Sequence, residues 1–194
     1  MKRWNLNNNY TITQVLAGRS NAYLIVTPQG NILVDTGRVN YFEKLIDNIA
    51  FALQAPPSIQ WLVLTHTHFD HCENAQMIND FFDTTLYVGC VEARYLRKGY
   101  TPIPKGTNLL TKGISFIGNR LGRFHFQYNP AMADYEVTRP LKINDLDIQL
   151  LPTPGHSVGS LSIIVNDEIA LVGDSMYHIF PKKFFPPFAD DPKM

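Results

Sequence analysis

Three imidazoles and a carboxylate fall within six residues in Thr65-His66-Thr67-His68-Phe69-Asp70-His71-Cys72. Chance composition would place an H-x-H-x-D-H spacing in a chain with six histidines roughly once in three thousand, so a solvated His-rich loop is a poor account of it. Imidazole nitrogen and carboxylate oxygen are the donors that zinc and comparable divalent ions take. In an extended loop His66 and His68, two residues apart, point to one side, and Asp70 and His71 then face a second position. The chemistry on offer is ligation of a divalent metal, at a strand-to-loop edge where α/β folds build sites.

Three further places bear on this loop. Ile32-Leu33-Val34-Asp35-Thr36-Gly37 is an apolar run ending in a carboxylate. In Thr153-Pro154-Gly155-His156-Ser157, proline fixes φ and glycine permits a turn, so His156 can be presented rigidly. Gly173-Asp174 closes the run Ile169 to Val172. Taken singly, Asp35 and Asp174 read as turn residues and His156 as structural.

In this order the four motifs resemble the metallo-β-lactamase superfamily of metal-dependent hydrolases. The resemblance implies that Asp35 braces the metal-binding loop, as hydrogen-bonded partners of ligands do. It implies a first ion on His66, His68 and His156 and a second on Asp70, His71 and Asp174, with Asp70 also the catalytic residue that orients the attacking hydroxide. The cofactor implied is zinc, one or two ions. His68 stands where flavin-coupled di-iron relatives carry Glu, which sets iron second. The activity implied is hydrolysis of a small-molecule ester, thioester or lactone, as in glyoxalase II and the lactonases. Antibiotic hydrolysis is disfavoured, because His71 stands where many β-lactamases carry Arg. Two readings compete: a vestigial, non-catalytic metal-binding domain, and a mononuclear iron thiol dioxygenase.

One departure matters. The family normally supplies a further His to the second ion after another helix and strand, but 20 residues follow Asp174 here, with no His beyond His178. Either His178 substitutes, or the second ion is weakly held, or the chain is a C-terminally truncated form lacking roughly another 40 residues. The expectation is an incomplete second half with an edge left to be covered and a compromised second site.

The elements that must position these residues follow from periodicity. Ala22 to Val26 and Ile32 to Asp35 flank turn chemistry and read as a hairpin. Phe42, Leu45, Ile46, Ile49 and Leu53 mark one face of a helix that Pro56 and Pro57 end. Ile59 to Leu64 reads as a strand buried on both faces. A helix from Asp70 to Phe82 is expected, with Ala75, Ile78, Phe81 and Phe82 inward, then a strand at Leu86 to Val88. Residues 97 to 140 are broken by glycine and proline and read as an insertion or lid. Strands return at Leu146 to Leu151, Leu161 to Val165 and Ile169 to Val172. His125 reads as a strand or lid residue, Cys72 as pointing away from the site and Cys90 as core. The alternation is α/β, and the resemblance implies a four-layer αβ/βα sandwich over one domain, residues 1–194.

Composition narrows the function classes. The 194 residues carry 17 basic and 17 acidic side chains, so no net field collects nucleic acid or anionic membrane. No apolar run approaches the length of a membrane span, and Met1-Lys2-Arg3 is followed by asparagines rather than the apolar stretch of a signal peptide. Two cysteines make no disulfide framework, and a cytoplasmic setting is expected. The tail Phe180 to Phe188, with four phenylalanines and three prolines, leaves rings to line a substrate mouth, pack on its own domain or meet a second copy of the chain.

Overall fold

Residues 1–102, 126–176 and 189–190 are described by the structure, a computed structural model. The chain begins as an antiparallel meander of β1 (Arg3–Asn5), β2 (Thr11–Leu16), β3 (Ala22–Thr27) and β4 (Gly30–Val34). The expected hairpin is β3 and β4, in register from Tyr23 opposite Val34 to Thr27 opposite Gly30. Pairing then turns parallel as β5 (Trp61–Val63), β6 (Thr85–Gly89) and β7 (Tyr135–Val137) extend the sheet in chain order to seven strands. Parallel neighbours need crossovers, and helices supply them. These are α1 (Phe42–Leu53) before β5, α2 (Phe69–Cys72) and α3 (Ala75–Phe82) before β6, and α4 (Cys90–Lys98) after it. A second, antiparallel sheet has the order β11-β10-β9-β8, from β8 (Leu141–Lys142), β9 (Ile148–Pro152), β10 (Leu161–Val165) and β11 (Ile169–Leu171).

Successive side chains of the central strands enter two different cores, which is why these strands read as continuous apolar runs. Leu24, Leu33, Leu62, Leu86 and Val88 pack toward the helices, against Leu45, Ile49, Ala75, Ile78 and Leu96. Their neighbours Ile25, Ile32, Val34, Val63 and Tyr87 pack between the sheets, against Ile148, Leu150, Leu161, Ile163 and Val165. The described residues thus form three layers, with helices, a seven-stranded sheet and a four-stranded sheet; a helical layer outside the second sheet is not among them.

Several expected elements take a different form. The helix from Asp70 to Phe82 is two helices. Asn74 interrupts it because its side chain donates to the backbone oxygens of Thr36 and Arg38, at 2.9 and 2.8 Å, and its N–H to Thr36 Oγ1. Phe81 is 59% exposed rather than inward. Helix α1 stops before Pro56, at Gln54 in the left-handed region. The segment 97–140 is not wholly an insertion, since β7 lies within it and pairs with β6. Cys90 is not core but half-buried at the start of α4, with its thiol toward Glu136. Residues 103–125, with His125, and residues 177–188, with His178 and the Phe/Pro tail, lie outside the described residues. No helix among the described residues is long and apolar enough to cross a membrane.

Candidate metal centre

Strand β5 ends at Val63, and the chain leaves the sheet carrying His66, His68, Asp70 and His71 on the loop and on α2. The second sheet adds His156 from the turn after β9 and Asp174 from the short 3-10 turn after β11. Four imidazole rings meet there, with centroids 4.1 to 4.8 Å apart for His66 with His71, His68 and His156. Two groups have ligand atoms within 4.8 Å of one another: His66, His68 and His156, and His66, His71 and Asp174. The first is the trio expected for the first ion.

Hydrogen bonds place a proton on Nδ1 of His66 and of His71. Asp35, in the left-handed region at φ 58°, accepts from Thr65 N–H at 2.8 Å, from the Thr65 hydroxyl at 2.7 Å and from His71 Nδ1–H at 2.9 Å. The Thr65 proton being spent on Asp35, its oxygen accepts from His66 Nδ1–H at 3.1 Å. Both rings therefore turn Nε2 inward. His66 Nε2 is buried with no hydrogen-bond partner, and His71 Nε2 faces the Asp174 carboxylate. His68 donates to the Pro102 backbone, leaving Nδ1 at 2.9 Å from His156 Nε2. Gly173 takes φ +52° where a Cβ would strike the Thr65 side chain, which lets the Asp174 turn close over the loop.

The electrostatics separate the four rings. Burial pushes His66 well below the usual imidazole value, helped by repulsion from His71, His68 and His156. Burial and then His156 lower His68 to about 3. Burial alone would lower His71 too, but Asp35 and Asp174 outweigh it and hold His71 well above. The Asp174 carboxyl, 3.4 Å from His71 Nε2 and 3.8 Å from His156 Nε2, is held low by these histidines against the effect of burial.

Asp70 departs from its expected place. Its carboxylate belongs to neither group and pairs with Arg19 Nε at 3.3 Å, because the Ser20 hydroxyl, donating to the Asp70 carbonyl, holds the Arg19 loop over α2. Cys72 points away, with its thiol donating to the Thr67 carbonyl at 3.2 Å. A cavity of about 230 Å3 runs beside the second group, lined among the described residues by Tyr23, Asp35, Thr65, His71, Asp174 and Met176, among others. Glu92 is a site residue that sequence reasoning missed. It is fully buried on α4 and accepts from Thr67 N–H, the Thr67 hydroxyl and Gly159 N–H.

The residues present fit a divalent ion. An unpaired polar atom in a protein interior costs about 1–3 kcal/mol. His66 Nε2 is such an atom, its ring proton held on the far side by Thr65, and ligand atoms of His71 and Asp174 lie within 4.8 Å of it. Nitrogen and carboxylate oxygen donors in this mixture suit zinc-type ions.

The likeness to known proteins agrees. A protein of Streptococcus pyogenes named as a probable metallo-hydrolase is 28% identical over 170 residues, which is 87% of this chain and 66% of that one. A second so named, from Methanocaldococcus jannaschii, is 29% identical over 81% of this chain and 68% of its own length. Among solved structures, the subclass B3 metallo-β-lactamase BJP-1 of Bradyrhizobium japonicum superposes with a TM-score of 0.62 at 24% identity, over 84% of this chain and 56% of that one. GOB-18 from Elizabethkingia meningoseptica does so at 0.63 and 24%, over 88% and 58%. At that identity the likeness is one of fold. The chain spans about two thirds of the length of the curated relatives and just over half that of the structures. The model of the metallo-β-lactamase superfamily matches residues 15–188, nine tenths of the sequence and every motif of the histidine cluster, and the chain belongs to that superfamily.

Proposed function

We propose that the chain is a zinc-dependent hydrolase acting on a small-molecule ester, thioester or lactone. The observation that carries this reading is the convergence of His66, His68, His71, His156 and Asp174 on one buried point, where His66 Nε2 has no hydrogen-bond partner and its Nδ1–H is held by Thr65. His66, His68 and His156 would hold a first ion. His71, Asp174 and Asp70 are assigned to a second, and the present partner of Asp70 is itself a cation, the Arg19 guanidinium. A bound divalent ion supplies a water that is nucleophilic at neutral pH and polarises the carbonyl oxygen under attack.

The chain's own residues do the positioning. Asp35 orients His71 directly and His66 through Thr65, so both rings direct Nε2 inward. Asp70 is assigned the role of orienting the attacking water and accepting its proton, for which its carboxylate would have to exchange Arg19 for the centre. The cavity beside His71 and Asp174 suits a small substrate better than a polymer.

The test is metal analysis of the purified chain with turnover of an aryl ester, a thioester and a lactone. Bound zinc with turnover that falls to background in His66→Ala and Asp70→Ala is the expected result. Zinc uptake without turnover of any of the three would overturn the hydrolase reading in favour of a binding domain. Iron with oxygen consumption would overturn it in favour of thiol oxidation.

A further inference from the structure

We infer that Glu92 is a positioning residue of the metal centre, tying the His66 to His68 loop to the His156 loop and setting the spacing of imidazoles that come from different sheets. The inference rests on the metal-hydrolase reading above. Glu92 lies in the first turn of α4 with no exposed surface. Its Oε2 accepts from Thr67 N–H at 2.9 Å and from the Thr67 hydroxyl; its Oε1 accepts from Gly159 N–H at 3.3 Å. Thr67 is the residue between His66 and His68, and Gly159 lies three residues after His156. One carboxylate therefore spans both ligand loops without touching a ligand ring.

Burying a carboxylate is costly unless it is fully hydrogen-bonded, and a helix that only needed to pack here would be served by an apolar side chain. The surroundings are built to let the carboxylate reach. A Cβ on Gly159 would strike Glu92, and a Cβ on Gly89 would land on the Gly159 carbonyl oxygen, so both glycines are needed for the His156 loop to approach α4. The proton order is also determined. The carboxylate only accepts, so the Thr67 hydroxyl proton points to Glu92. Thr101 must then donate to Thr67, at 2.9 Å, and the Tyr128 hydroxyl must donate to Thr101, at 2.6 Å. This single-direction chain gives the Thr67 hydroxyl a second bond besides that to Glu92. Residues that orient ligands in this way typically govern metal affinity by ten- to a hundredfold.

The experiment compares zinc affinity, by competition with a chromophoric chelator, and the urea midpoint of chelator-treated protein across wild type, Glu92→Gln, Thr67→Val, Thr67→Ser and Glu136→Gln. Glu136 pairs with Arg97 of the same helix at the surface, so its variant removes the same charge away from the centre. Glu92→Gln keeps the shape but offers an amide N–H to one of three donors. Its zinc affinity should fall roughly ten- to a hundredfold, with Thr67→Val showing a smaller loss and Thr67→Ser and Glu136→Gln matching wild type. A Glu92→Gln affinity within about twofold of wild type, with only the urea midpoint lowered, would mean packing alone and would overturn the inference. Should Glu92→Gln not fold, Thr67→Val binding zinc as tightly as Thr67→Ser overturns it equally. Wild-type chain that takes up no divalent ion overturns the underlying metal reading itself, a result distinct from the others.

Discussion

Asp35 governs the tautomers on which the centre depends. Its carboxylate accepts three hydrogen bonds, one of them from His71, and supplies the largest upward influence on that imidazole. A ligand must be deprotonated, so on the proposed reading zinc would have to displace the proton that Asp35 and Asp174 hold on His71. Zinc affinity of the wild type should therefore fall as pH drops below the raised His71 value. Asp35→Asn removes the charge and turns an N–H toward one of three donors. Affinity should drop about ten- to a hundredfold at neutral pH, and the acid-side fall should move to lower pH because His71 releases its proton more readily. Calorimetry in buffers of different ionisation enthalpy would read the lost proton release; unchanged release in the variant would contradict the assignment. Of this site, the ligand spacing in His66 to His71 is legible in the sequence because those residues share one loop. The Arg19 pairing of Asp70 and the Glu92 bonds to Thr67 and Gly159 are not, since they join residues 51, 25 and 67 positions apart through no periodic pattern.

At the scale of elements, the junction of β6 and α4 has the least tolerance. Gly89 abuts the Gly159 backbone, and backbone cannot move aside as a flexible side chain can. Gly89→Ala should cost about 1–3 kcal/mol of stability through overpacking, read as a lower urea midpoint, and should weaken zinc binding too, because the displaced backbone leads to His156. Leu33→Ala, a cavity in the helix-side core, should cost more, about 2–5 kcal/mol, yet leave zinc affinity near wild type. Equal effects of the two on affinity would show that the junction has no special tie to the centre. The same elements explain what periodicity reveals. Strands β3, β4, β5 and β6 are evident because both faces are apolar, Leu33 toward the helices and Ile32 and Val34 toward the second sheet. Helix α4 is not, because its inward positions are Glu92, Ala93 and Leu96, a buried carboxylate where the pattern calls for an apolar side chain. The break at Asn74 is equally hidden, since the bonds that cause it go to Thr36 and Arg38 on a distant loop.

For the whole molecule, the centre is where the two sheets meet, with His66, His68 and His71 following β5 and His156 and Asp174 following strands of the second sheet. Chelator-treated protein should show a dome of stability against pH. Below about 6.5, the ordinary imidazole value, the unfolded chain takes up protons that folded His66 and His68 refuse, so stability falls as pH drops toward the His68 value of about 3. Above about 6.5, folded His71 keeps a proton that the unfolded chain releases, so stability also falls as pH rises through its raised value. Saturating zinc should change the upper limb most, because there the ion competes with one proton rather than several. At a free concentration a thousandfold above Kd it adds about 4 kcal/mol. Removing the second sheet's imidazole with His156→Ala should abolish most of that gain while leaving the four-stranded sheet's own core, Ile148, Leu150, Ile163 and Val165, untouched. Urea midpoints at pH 7.5 with and without zinc decide the matter. A midpoint that zinc leaves unchanged, or raises equally in His156→Ala, would mean that no ion joins the two sheets.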